Sequence, residues 1–214
     1  MLTHKDFMIM ITVQISLFAF YAARLILISL IVLSVFTVAF FIERIIYFRR
    51  CFIKDGQPVL RAVEAAGSID EIRDLLQDNQ KAEAAVVLQG LGPEIRTCHE
   101  FTKKVTAHLY LEKEQWERYS LFLGSVGSNA PFIGLLGTVF GIIKSFADLG
   151  ASVGGGPQVV MSGISEALIV TAAGLSVAIP AVIFFNICKT RVKKAVTRVE
   201  AIVEMINSKE IFTG

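Results

Sequence analysis

The chain has few cysteines, few prolines and almost no net charge. It contains three cysteines and five prolines in 214 residues, and 21 Lys and Arg against 19 Asp and Glu leave a net charge of +2. Three scattered cysteines are too few for a disulfide framework or a zinc site. A charge of +2 creates no basic field for nucleic acid, so no nucleic-acid partner is expected. A mean hydropathy of +0.61 with 54% apolar residues excludes a disordered chain.

No group of polar residues indicates an enzyme or a metal centre. The glycine-rich residues 154–157 lack the Lys and Ser or Thr that follow in a phosphate-binding loop. Cys98, His99 and His108 have no third partner at a metal-ligand spacing. No Ser, His and Asp set converges. We therefore predict no catalytic residue, no cofactor and no metal.

Three long apolar segments predict an all-α membrane protein. A bilayer core of about 30 Å requires roughly 20 apolar residues in a helix. Residues 25–42, 120–143 and 164–187 meet this requirement, and Glu166 is the one charged residue within them. The expected fold is polytopic, with three transmembrane helices and long helical cytoplasmic extensions.

Lysine and arginine predict the orientation of the spans. They cluster after the first span, before the second and after the third, whereas the opposite side carries only Lys5, Arg24 and Lys144. Because cytoplasmic loops are enriched in Lys and Arg, the N-terminus is expected outside and the C-terminus in the cytoplasm. The resulting divisions are an N-terminal outer or interfacial helix (1–24), the first span (25–48), a cytoplasmic helical region (49–118), the second span (119–146), an outer loop (147–161), the third span (162–188) and a cytoplasmic helical tail (189–214).

Residues 7–23 are a further apolar stretch. Only Arg24 separates them from the first span, with no Gly or Pro to form a hairpin. We interpret the stretch as an interfacial helix or an extension of the first span. The alternative is a signal peptide cleaved after Ala23, although Asp6 offsets its basic residues.

The segments outside the spans are expected to be helical. Ser68 and Glu71 predict a capping box in which Glu71 reaches back to the Ser68 amide. Gly92 and Pro93 predict the end of one helix and the start of another. No other breaker except Pro131 precedes residue 146, so a rod of about 80 Å is expected.

An apolar stripe in the tail has two interpretations. Its members follow the 4-3-4-3 spacing of a coiled-coil seam, which favours self-association. Packing against residues 93–118 of the same chain explains the stripe equally well. The members are Val192, Val196, Val199, Val203 and Ile206.

The second and third spans each carry a face of small residues. Residues three or four apart share one helix face, and small faces let membrane helices approach closely. One face comprises Gly124, Gly127, Pro131, Gly134, Thr138, Gly141 and Ser145, and the other comprises Gly163, Ala167, Thr171, Gly174, Ala178 and Ala181. Expected packing positions are Gly134, Gly137, Gly141 and Gly174, and expected kinks are Pro131 and Pro180.

Three polar residues within these spans are candidates for function. Thr138 and Thr171 each lie about eight residues from the outer end of their span, roughly 12 Å deep. Two hydroxyls at one depth predict a polar ring in an oligomer, unless each simply bonds a carbonyl of its own helix. Glu166 is expected to line a cavity or an ion path. Its alternative role is that of an interfacial residue stabilised by the helix N-terminus.

Two motifs resemble the signatures of a known family. Residues 128–141, SNAPFIGLLGTVFG, are similar to the second-span signature of the ExbB/TolQ/MotA proton-channel family. Residues 163–175, GISEALIVTAAGL, followed by residues 178–181 and Asn186, are similar to its third-span signature. The pair Glu43 and Arg44 after the first span resembles the family as well.

The resemblance implies a multi-pass protein of the bacterial inner membrane, in the three-span ExbB/TolQ branch. It implies a homo-oligomer, a pentamer, around a smaller ExbD/TolR-like single-span partner that carries the proton-accepting Asp. A TonB-like or TolA-like energy transducer and the lipid bilayer complete the implied partners. Thr138, Thr171 and Glu166 would then lie on a proton pathway that converts proton motive force into mechanical work. The alternative is a passive membrane scaffold whose small residues serve packing alone.

Overall fold

The computed structural model of this chain describes residues 4–151 and 157–209. Over these ranges the backbone forms α-helices and no strand, which confirms the all-α class. Three of the helices contain segments long and apolar enough to cross a membrane: Val13–Cys51, Ser120–Gly150 and Val160–Asn207. The helices are α1 (His4–Cys51), α2 (Gln57–Ala65), α3 (Ile69–Asp78), α4 (Ala82–Gly90), α5 (Cys98–Glu117), α6 (Ser120–Ala151) and α7 (Pro157–Asn207).

The chain divides into two compact units. The first, here called the span unit, comprises Met1–Phe40 and Phe122–Phe185. The second, here called the polar unit, comprises Phe41–Leu121 and Asn186–Gly214. Helices α1, α6 and α7 each contribute residues to both units.

Helix α1 runs without interruption from His4 to Cys51. It contains no Gly or Pro, so no residue weakens the backbone between residues 7–23 and the first span. Residues 7–23 and the predicted first span therefore belong to one helix, and the position of residues 7–23 relative to the membrane stays a prediction.

The start of α5 differs from the sequence expectation. Pro93 does not begin a helix, because α4 ends at Gly90 and α5 begins at Cys98. The Thr97 side chain accepts a hydrogen bond from the Glu100 amide at 3.2 Å, and the Glu100 carboxylate accepts one from the Thr97 amide at 3.3 Å. This capping box satisfies amides of the first turn and places the helix start after Thr97.

The box expected at Ser68 is half correct. The Ser68 hydroxyl accepts a hydrogen bond from the Glu71 amide at 3.2 Å. The Glu71 carboxylate, however, accepts its bond from the amide of Gly67 at 2.9 Å and not from that of Ser68.

The expected continuous rod is wrong, because the helix breaks at Arg118 and Tyr119. Tyr119 has a φ of 67°, a left-handed conformation that costs a non-glycine residue about 1–2 kcal/mol. Arg44, which is 4% exposed, lies beside the break. Its Nη1 donates to the Gln115 carbonyl at 3.3 Å, and its guanidinium lies 4.9 Å from the Tyr119 ring centroid. Arg44 thus satisfies a carbonyl at the end of α5 and packs on the residue that turns the chain.

The tail stripe is covered within the chain. Val192, Val199 and Ile206 are at most 1% exposed. Asn207 at the end of α7 donates to the Thr102 hydroxyl of α5 at 2.9 Å. The structure therefore shows the intrachain alternative for this stripe.

Candidate functional site

Glycines bring α6 and α7 into backbone contact inside the span unit. A Cβ added to Gly174 would lie 2.7 Å from the Ala130 carbonyl oxygen and 3.0 Å from the Gly134 Cα. A Cβ added to Gly134 would lie 3.1 Å from the Val170 carbonyl oxygen. Backbone atoms cannot rotate away as a side chain can, so a methyl group at either position would require the two helices to move apart.

The contact continues along both helices in antiparallel register. Gly127 faces Val182 at one end, and Gly141 faces Ala167 toward the other. Gly137 lies against Val170 and also against Ile26 of α1, with a would-be Cβ 3.3 Å from the Ile26 side chain. Gly137 therefore marks a point at which the three long helices converge.

Two prolines lie within these helices. Pro131 is inside α6 and Pro180 is inside α7, and both helices continue past them. Each proline removes one backbone donor from its helix. The kinks expected at these positions stay a prediction.

The two candidate threonines lie side by side between α6 and α7. Thr171 Oγ1 is 3.1 Å from the Gly134 carbonyl oxygen and 3.4 Å from Thr138 Oγ1, and both are acceptors for its single proton. Thr138 Oγ1 donates to the Leu135 carbonyl at 2.6 Å and is buried, with Thr138 7% exposed. The two hydroxyls and two carbonyls form one polar cluster in an otherwise apolar contact, here called the threonine cluster.

The cluster combines features of both sequence interpretations. Thr138 donates to a carbonyl of its own helix, as the alternative without a polar ring expects. Thr171 instead reaches across to Gly134 of α6, a partner that helix geometry alone would not supply. The hydroxyls meet within a single chain, so their contact does not depend on an oligomer.

Glu166 lies elsewhere, at a cavity of about 240 Å³ that neither threonine lines. The Glu166 side chain is exposed, and it shares the cavity wall with Arg24 and Lys144. The Arg24 guanidinium lies 4.5 Å from the Phe20 ring centroid, and Lys144 Nζ lies 5.5 Å from the same centroid. Two cations and one carboxylate thus line one cavity in the span unit.

Sequence reasoning missed the two cations as site residues. Arg24 and Lys144 entered it only as charges that set the orientation. Their spacing from Glu166 contains no motif, since three different helices contribute the three side chains. Lys144 also forms an ion pair with Asp148 at 3.1 Å, one helical turn further along α6. Lys144 and Asp148 have the i,i+4 spacing of a helical ion pair, although the predicted boundary at residue 146 separates the second span from Asp148.

The threonine cluster can accept, donate and solvate a proton, but it cannot hold one as an acid. Residues 120–143 and 167–187 contain no ionisable side chain. A Thr hydroxyl offers one donor and two lone pairs. A carboxylate placed beside the cluster would therefore find hydroxyl partners in either protonation state.

Comparison with known proteins supplies a family match. Residues 71–201 match the MotA/TolQ/ExbB proton channel family. The chain is 32% identical over 139 residues to the biopolymer transport protein ExbB of Xanthomonas campestris. The matched region covers 62% of this chain and 54% of that protein. The chain is 49% identical over 75 residues to the Tol-Pal system protein TolQ of Pseudomonas aeruginosa, covering 35% of this chain and 32% of that protein. The chain spans about half, or less, of the length of the curated relatives it matches.

Proposed function

Since this chain belongs to the MotA/TolQ/ExbB proton channel family, we propose that it is an ExbB/TolQ-like subunit that converts proton motive force into mechanical work. The observation that supports this role is the threonine cluster, where Thr171 Oγ1 lies 3.4 Å from Thr138 Oγ1 beside the backbone contact of Gly134 with Gly174. Packing alone requires small residues there but does not require two hydroxyls in contact.

The proton acceptor in this proposal comes from a partner. The chain has no ionisable residue near the threonine cluster along its second and third spans. An ExbD/TolR-like single-span protein with an Asp would supply the carboxylate, and Thr138 and Thr171 would solvate it. Backbone contact at Gly134 and Gly174 would hold the hydroxyls in place. Each proton that crosses 100 mV provides about 2.3 kcal/mol for movement of the helices.

The proposed assembly is a pentamer of this chain around the partner helices in the bacterial inner membrane. Exposed apolar side chains on α6 and α7 support a surface that lipid or neighbouring subunits cover, among them Phe132, Leu135, Leu168 and Ile179. The lysine and arginine distribution supports a periplasmic N-terminus and a cytoplasmic C-terminus. Transmission of the work to a TonB-like or TolA-like protein is part of the same proposal.

Removal of the two hydroxyls tests the proposal directly. In vesicles that contain this chain and its partner, Thr138→Val and Thr171→Val should lower proton flux roughly fivefold each, the effect of one lost hydrogen bond of about 1 kcal/mol. Valine preserves the shape of threonine, so the amount of assembled complex should not change. Flux is measured with a pH-sensitive dye inside the vesicles.

Thr37→Val is the matched control for this experiment. Thr37 is buried in α1, and its hydroxyl bonds the Leu33 carbonyl of its own helix at 2.7 Å. Flux in this variant should equal that of the unmodified chain. Full flux in both test variants, or a complex that supports its cellular process without any flux, would favour the passive scaffold.

Glu166→Gln should reduce proton flux more strongly, on the order of tenfold, which corresponds to about 1.4 kcal/mol. The proposal places Glu166 at the mouth from which protons enter, where an ionisable group concentrates them. Glutamine keeps the size and hydrogen bonding but cannot ionise. Glu166→Asp keeps a carboxylate and should retain most of the flux. Equal flux in Glu166→Gln and the unmodified chain would leave only the helix N-terminus role for this residue.

A further inference from the structure

A second cavity lies in the polar unit, away from the threonine cluster and from Glu166. Its volume is about 550 Å³. The start of α2 with the residues before it forms one wall, and one face of α7 forms the other. We call it the lysine groove, and its lining residues include Lys54, Asp55, Gly56, Lys193, Lys194 and Arg198.

The charges of the lysine groove are strongly unbalanced. Lys54, Lys193 and Lys194 are exposed, and none forms an ion pair with a residue that the structure describes. Arg198 adds a fourth cation, but it is paired with Glu83 at 2.7 Å. The one carboxylate of the lining, Asp55, accepts a hydrogen bond from the Gln57 amide at 3.1 Å. Three ammonium groups therefore face one cavity without a counter-charge of their own.

The backbone of the groove adds to its positive character. Gly56 is the N-cap of α2 and provides no side-chain cap, so the helix start relies on Asp55. A helix N-terminus carries a partial positive charge. A Cβ on Gly56 would lie 2.7 Å from Arg198 Cδ, so glycine lets the Arg198 side chain pass close beneath the loop. The ion pair with Glu83 holds the Arg198 side chain in place beside Gly56.

We propose that the lysine groove binds a phosphate group, and that its source is the headgroup of an anionic phospholipid. The α7 wall belongs to the same continuous helix as the third span, and Thr190 follows the predicted end of that span at residue 187. Lys193 and Lys194 lie roughly 10 Å further along the helix than residue 187. Lysine side chains of this length reach back toward a membrane surface. Basic pockets at this level of a membrane protein suit anionic headgroups.

The experiment compares two phosphate sources on the full chain purified in a neutral detergent. Native mass spectrometry measures retention of phosphatidylglycerol, with phosphatidylcholine as the neutral headgroup. Equilibrium dialysis measures radiolabelled inorganic phosphate. Each lysine near an anionic surface contributes roughly fivefold in affinity, so Lys54→Gln, Lys193→Gln and Lys194→Gln combined should weaken phosphatidylglycerol binding on the order of one hundredfold.

Two further variants make the result specific to the groove. Arg61→Gln, Arg96→Gln and Lys103→Gln combined remove the same charge from exposed positions outside the groove, and binding should stay within about twofold because long-range charge is screened. Replacement of the three groove lysines by arginine keeps the charge and should keep binding. Tight retention of inorganic phosphate with the same dependence on the lysines would support the site and assign a soluble source. Failure of both probes would overturn the proposal and favour an acidic protein segment as the occupant. Equal losses in the groove and control variants would also overturn it, because binding would then depend on total charge and not on the groove.

Discussion

Gly174→Ala should separate α6 from α7 and lower both the thermal stability and the proton flux of the assembled protein. The new Cβ would lie 2.7 Å from the Ala130 carbonyl oxygen and 3.0 Å from the Gly134 Cα. Overpacking of this kind costs about 1–3 kcal/mol, occasionally more. Alanine favours a helix over glycine by about 1 kcal/mol, which offsets only part of that cost. Because the obstructing atoms belong to the backbone, we expect the upper part of the range.

The loss of flux should exceed what the stability change alone explains. The Thr171 hydroxyl reaches Gly134 at 3.1 Å only because the helices touch at Gly174. A separation of a few tenths of an ångström would stretch this bond beyond useful geometry. Measurement of flux at a temperature where the variant is fully folded separates this effect from unfolding.

Gly150→Ala is the control, since a Cβ at Gly150 meets no atom within 4 Å. It should keep the flux of the unmodified chain, and its stability should be unchanged or higher by up to about 1 kcal/mol, because alanine favours the helix there without a clash. Thermal unfolding in detergent, followed by tryptophan fluorescence and by the yield of assembled complex, compares the two variants. Equal stability of Gly174→Ala and Gly150→Ala would mean that α6 and α7 can separate without a loss of folding free energy. The close packing of the two helices would then not be what positions Thr138 and Thr171.

The sequence predicted well those features that depend on the spacing of residues along a helix face and on the depth of a residue within its span. The glycine stripes on α6 and α7 follow the spacing of a helix face, so the contact between Gly134 and Gly174 could be expected from the amino-acid sequence alone. The depth of Thr138 and Thr171 follows from a rise of about 1.5 Å per residue. That arithmetic selected two hydroxyls that the structure places 3.4 Å apart. It could not supply the Gly134 carbonyl as a partner, because rotation about the helix axis depends on packing.

The features that the sequence missed depend on contacts between distant segments. No breaker stands at Tyr119, yet the helix ends there beside Arg44, a residue 75 positions earlier in the chain. A guanidinium that reaches the Gln115 carbonyl stabilises an interruption that local propensity does not predict. Pro93 failed as a helix start because Thr97 and Glu100 form a complete capping box further on. The capping-box pattern of Thr97 and Glu100 is visible in the sequence, and it predicts the start of α5 better than Pro93 does.

The buried pair of Glu83 and Arg198 is another such contact, and its two members are 115 positions apart in the chain. Glu83 lies on α4 and has no exposed surface, whereas the Arg198 side chain on α7 is 18% exposed. One carboxylate oxygen accepts from Arg198 Nη2 at 2.7 Å and from Nε at 3.1 Å. The other accepts from the Ile53 amide at 3.1 Å. A single carboxylate thus joins α4, α7 and the segment after α1 inside the polar unit.

Glu83→Ala should therefore destabilise the polar unit by about 3 kcal/mol, the lower end of the cost of removing one partner from a buried pair. The lower end applies because water reaches part of Arg198. The loss has two sources: a guanidinium without its counter-charge, and an Ile53 amide without an acceptor. Hydrogen–deuterium exchange should consequently accelerate in peptides that cover residues 52–60 and 190–200, and thermal unfolding should begin at a lower temperature.

Glu200→Ala removes the same charge from an exposed position on α7 and is the control. Its exchange pattern and stability should match those of the unmodified chain, since exposed carboxylates contribute about 0–1 kcal/mol. The double variant Glu83→Ala with Arg198→Met should recover part of the loss, because it removes the unpaired cation and leaves only the Ile53 amide unsatisfied. Equal destabilisation by Glu83→Ala and Glu200→Ala would show that the ion pair contributes no more than a surface charge. The polar unit would then owe its stability to the apolar contacts around Trp116, Phe101 and Ile72, which are fully buried.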